Sequence, residues 1–158
     1  MSKNALLAIL LACILAACGD EETDRSTDRP SNATPENATI SPVIVHLQRD
    51  YESLLTAQSA ISEIWEQLAD GQQVQCGQYP EVLAPESISA EDDPSLQPLA
   101  DILHTAAIAT EHAVQLWQAE CRQPRQNPPP DVLSEGLLAV RSAGDALKEA
   151  EPLLTGIQ

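Results

Sequence analysis

The chain of 158 residues carries 24 acidic against 8 basic side chains, a formal net charge of −16 at pH 7. Nucleic acids and anionic lipid surfaces are held by clustered Lys and Arg, and no basic stripe exists here, so the composition disfavours both as direct partners. Phe is absent while Leu, Ala and Gln are abundant, a composition that suits helix far better than sheet.

The N-terminus opens with Lys3 and continues as an unbroken apolar run from Ala5 to Ala17. As a helix at about 1.5 Å per residue the run reaches roughly 20 Å, short of the roughly 30 Å hydrocarbon core, so it reads as an export signal and not as a permanent span. Small residues Ala16 and Ala17 stand directly before Cys18. Leu15-Ala16-Ala17-Cys18 resembles the lipobox of bacterial lipoproteins. That resemblance implies removal of residues 1–17 and acylation of Cys18 as the new N-terminus. It also implies a mature protein anchored to the cell membrane or outer membrane and facing the periplasm or exterior. Gly19, in place of Asp, after the cysteine is compatible with the outer membrane.

Residues 19–39 offer almost nothing to a core, being dominated by acids, Ser, Thr, Asn and two prolines. Such a segment does not offset the entropy of ordering, and its reach as a flexible chain is about 25 Å, which suits a tether. Residues 18–40 are therefore assigned to the lipidated N-terminus and tether, and residues 41–158 to one domain.

Within that domain Ser41-Pro42 signals a helix start and Asp70-Gly71 a stop. Between them Ile44, Leu47, Tyr51, Leu54, Ile61, Trp65 and Leu68 recur at three- and four-residue steps, with Gln58 the one polar position in the stripe. Residues 72–93 are too polar and too rich in proline for another long helix, although Pro80–Leu83 and Pro85–Ser89 each suit a single turn. A second helix starts at Asp93-Pro94, repeats the apolar stripe from Leu96 through Trp117 to Cys121, and stops before Pro124. A third begins near Asp131 and ends about Pro152. Its Gly136 and Gly144 give it a slim profile that admits a close neighbour.

With Cys18 acylated and Cys13 removed, Cys76 and Cys121 remain in a compartment that permits disulfides, and a bond between them is the economical reading. The first and second helices are each about 40 Å long, so in a simple hairpin these sulfurs would stand at opposite ends. The bond therefore predicts an all-α three-helix bundle with helices 1 and 2 parallel, a long crossover between them, and helix 3 antiparallel. Trp65 and Trp117 then lie at one height beside the disulfide, with Tyr79 nearby in the crossover. Core filling is one reading of these aromatics, and a site for a small apolar or cationic ligand is the alternative.

The three histidines, His46, His104 and His112, fall in no short-spaced ligand pair, and C-x-x-C, C-x-x-C-H and G-x-S-x-G are all missing. Acid pairs such as Glu63 and Glu66, or Asp145 and Glu149, fit solvated helix faces. No catalytic residue, metal or cofactor is expected. The expected work is non-enzymatic: a membrane-attached bundle for interaction with another envelope protein or for envelope structure.

Overall fold

A computed structural model describes residues 41–123 and 127–157, which fall within the unit Ala38–Gln158. The lipobox, the tether and the helix-stopping Pro124 lie outside the described residues. Three helices, α1 (Pro42–Ala69), α2 (Gln97–Arg122) and α3 (Pro130–Gly156), account for most of the domain, and the described residues include no strand. None of these helices is long and apolar enough to cross a membrane.

Proline sets each start, because its fixed φ suits the first helical turn and its missing N–H loses nothing there. At α1 the expected side-chain cap is not made. The Ser41 hydroxyl bonds no backbone amide, and it is the Ser41 carbonyl that accepts from the Ile44 and Val45 N–H groups at 3.0 and 3.3 Å. The α1 stop is as expected: Asp70 closes the helix and Gly71 turns the chain with φ +73°. Before α2, the Asp93 carboxylate accepts from the Ser95 N–H and hydroxyl at 3.1 and 2.6 Å, which fixes the 3-10 turn Pro94–Leu96.

In three further places the chain departs from expectation: α2 begins at Gln97, with only the 3-10 turn Pro94–Leu96 at the expected Asp93-Pro94 start. α3 does not end at Pro152 but runs to Gly156, because the proline forfeits one hydrogen bond while Leu154 and Ile157 continue the apolar stripe onto the core. In the crossover only Pro85–Ser87 makes a helical turn, and Pro80–Leu83 stays irregular.

The core forms two clusters. One unites Leu47 and Leu54 of α1, Leu99 and Leu103 of α2, Leu147 and Ala150 of α3, and Ile88 and Ala90 of the crossover. The other unites Ile61, Trp65 and Leu68 with Ala113, Val114 and Trp117 and with Ala139 and Val140. The slim face of α3 is used as its glycines suggest. A Cβ on Gly136 would fall inside the Trp65 ring, and one on Gly144 would sit 3.2 Å from Gln58 Nε2. Gln58 Nε2 in turn donates to the Val140 carbonyl at 3.1 Å, so the polar position in the α1 stripe ties α1 to α3.

Cys76 and Cys121 are joined by a disulfide, with Cα atoms 5.4 Å apart and 45 residues between them in sequence.

Gly136→Ala gains about 1 kcal/mol of helix propensity but forces a methyl into a wholly buried indole. A net loss of at least about 1 kcal/mol in denaturant unfolding is expected. Gly144→Ala meets only the flexible end of Gln58 and should stay within about 1 kcal/mol of the parent. Replacing both bridged cysteines by Ser should lower stability by about 4 kcal/mol in the chain-entropy description of the loop; an unchanged unfolding midpoint would show that the bridge constrains nothing.

Candidate functional site

The three aromatics expected to share a site are not used alike. Trp65 is 0% exposed and its Nε1–H donates to the Ala113 carbonyl at 3.2 Å. Trp117 is also buried, in the same cluster, and its Nε1 has no hydrogen-bond partner. An unmade bond of this kind costs about 1–3 kcal/mol, set against the burial of a whole indole. Neither ring lines the grooves described below. Tyr79 stands apart on the surface, where it borders two of them.

The histidines serve three separate contacts. His46 Nε2 approaches Asp50 Oδ2 at 3.5 Å, an ion-pair distance without hydrogen-bond geometry. His104 Nδ1–H donates to the Pro85 carbonyl at 3.0 Å and so pins the crossover to α2. His112 Nε2–H donates to Glu135 Oε1 at 3.0 Å and links α2 to α3 on the surface. Among the described residues no group of three His, Cys, Asp or Glu side chains comes together to hold a metal ion.

Asp50 is a buried carboxylate in α1 that the apolar periodicity does not reveal, because it occupies a position of the inward face. Burial pushes its carboxyl above the usual carboxylate range, against the opposing pull of His46 and Arg49. Burial, with the Glu151 carboxylate adding to it, likewise holds the Tyr51 phenol above its ordinary value.

Grooves open to solvent among the described residues include one between α1 and α3 and two on the crossover. Between α1 and α3 lies a cleft of about 630 Å³ with Gln58 and Gly144 among its lining residues. Its charges are mixed, since Glu66, Asp145 and Glu151 stand among Arg141 and Lys148, and Lys148 Nζ lies 3.7 Å from Asp145 Oδ1. On the crossover, a groove of about 640 Å³ runs between α1 and residues 73–80, and another of about 430 Å³ lies between residues 79–82 and α2. Tyr79 and Pro80 border both, and neither contains a Lys or Arg. Sequence spacing gives no sign of this juxtaposition, because Glu63 and Gln67, residues 73–80, and Glu111 to Gln118 come from three separate stretches of chain.

No family model, no curated protein and no solved structure matches this chain.

Because the fold favours a neutral Asp50, this group's contribution to stability is complete at acid pH. It is lost as pH rises above about 4 and through the raised folded-state value. Asp50→Asn removes the titration. Its unfolding midpoint should match the parent near pH 3 and exceed it at pH 7, and an advantage equal at both pH values would refute the burial account.

Proposed function

We propose that the chain is an extracytoplasmic lipoprotein held to a membrane by acyl chains on Cys18, whose helical domain works by binding another envelope protein and performs no catalysis. The lipobox-like Leu15–Cys18 and the polar segment that follows support the anchor and the leash. The observation that carries the address is the Cys76–Cys121 bond, because a structural disulfide belongs to an oxidising compartment and is rare in a reducing cytosol.

The topology suited to this role has α1 and α2 running the same way, residues 70–93 returning along the bundle, and α3 opposed to both. The make-up of the two core clusters supports it. Leu47 and Leu54, early in α1, share a cluster with Leu99 and Leu103, early in α2, and with Ala146 to Ala150, late in α3. Ile61 to Leu68 share theirs with Ala113 to Trp117 and with Ala139 and Val140. The disulfide between the start of the crossover and the end of α2 supports the same arrangement.

Binding in place of chemistry is supported by how the polar side chains are spent. The histidines are engaged in three different contacts, and the buried Asp50 borders none of the grooves.

The test is intact-mass analysis of protein extracted from membranes of cells grown with labelled palmitate. The expected product begins at Cys18 and carries acyl chains, while Cys18→Ser should take up no label and keep residues 1–17. An unmodified chain starting at Met1 would overturn the proposal.

A further inference from the structure

Tyr79 is 46% exposed on the crossover and divides two grooves that share it and Pro80. Each groove contains a carboxylate braced in the same way. In the first, Gln67 Nε2 donates to Glu63 Oε1 at 3.1 Å along α1. In the second, Gln115 Nε2 donates to Glu111 Oε1 at 2.9 Å along α2. Neither carboxylate is paired with a Lys or Arg among the described residues. Sequence explains the uniform sign: from Asp50 to Cys121 the chain has 13 acidic residues and no basic one.

An exposed aromatic face between two oriented carboxylates is complementary to a cation, held by the ring quadrupole and by charge on either side. The backbone beside it identifies the carrier of that charge. Among the described residues, none of residues 73–83 makes a backbone–backbone hydrogen bond and most are exposed, which leaves N–H and C=O groups next to the ring open to a partner. Gln73, Gln75 and Gln78 border the same groove with amides that both donate and accept. A second peptide backbone satisfies such groups in the manner of strand addition, whereas a simple polyamine offers donors alone.

We propose, resting on the partner-binding reading above, that the Tyr79–Pro80 ridge and its two grooves are the docking site for an extended, lysine-bearing segment of a partner protein. The α1/α3 cleft is the weaker candidate, since its charges already balance one another.

The experiment titrates the full-length chain in detergent micelles against a fluorescein-labelled peptide of alternating lysine and serine, with a glutamine-for-lysine peptide and spermine as comparisons, and reads anisotropy. Tyr79→Ala should weaken binding about tenfold, and Tyr79→Phe, which keeps the ring, should stay within about twofold. Glu63→Gln with Glu111→Gln should weaken it about tenfold, while Glu86→Gln with Asp92→Asn, equal in charge but outside both grooves, should change it less than about twofold. No lysine-dependent binding, an unaffected Tyr79→Ala, or equal losses from the two charge pairs would overturn the site. Spermine binding as tightly, with the same dependence on Tyr79, would overturn the peptide assignment. A photocrosslinker distinguishes failure of this site from failure of the broader reading. In cells, capture at Leu138, an apolar side chain 65% exposed on α3, but not at position 79 overturns the ridge and leaves partner binding standing, whereas capture at neither overturns both.

Discussion

The indole of Trp65 is held by all three helices at once. It projects from α1, gives its N–H to the Ala113 carbonyl of α2, and fills the space that Gly136 of α3 leaves by having no side chain. Burying an indole costs least where its one donor finds an acceptor, and a helix carbonyl, with its second lone pair, supplies one here without breaking the helix. The arrangement is directional, since a slip of any helix by one turn would separate the ring from its acceptor or drive it into a Cβ. The register of the bundle follows from this contact more than from the leucines, which pack adequately in several alignments.

α2 occupies the middle of the domain, and its composition reflects that place. It buries Ala100, Ala107, Thr110 and Val114 beside the expected stripe of Leu99, Leu103, Ala106, Ala113 and Trp117, because α3 meets it on one side and the crossover on another. Thr110 is accommodated by returning its hydroxyl to the Ala106 carbonyl at 2.8 Å. The crossover earns its length by covering α2: Ile88 and Ala90 enter the core, Val82 packs against both clusters, and the Pro85 carbonyl accepts a hydrogen bond from His104 Nδ1–H. The polar look of residues 72–93 conceals these few anchoring positions.

Helix existence, the proline starts, the Gly71 stop and the disulfide pairing were legible because each rests on local chemistry or on elimination among a few cysteines. The width of the α2 face was not, because an alanine on a helix reads the same whether it faces solvent or a neighbour. Asp50 was invisible for the opposite reason: its residue type argues for the surface, and only the packing of neighbouring elements buries it. The end of α3 was misjudged because proline was given its local meaning while Leu154 and Ile157, packed on the core, outweighed it. Of the aromatics, the meeting of the two tryptophans in one core cluster was traceable through the disulfide taken together with helix length. The surroundings of Tyr79 were not, since they depend on how an irregular segment lies against two helices.

That irregular segment joins stability to the proposed function. Between Cys76, fixed covalently to α2, and the turn at Pro85, fixed by His104, residues 77–83 make no backbone–backbone hydrogen bond among the described residues, yet both ends are held. A free loop of the same composition would lose its conformational entropy on binding, whereas a loop pinned at both ends has lost much of it on folding. In the proposed docking the disulfide therefore has two roles: it limits the unfolded chain, and it would present Tyr79 and the adjacent backbone in one arrangement to an incoming segment. Under reducing conditions the first effect is lost as stability. The second is lost as affinity, even in molecules that remain folded, because one end of the docking segment is then free to move.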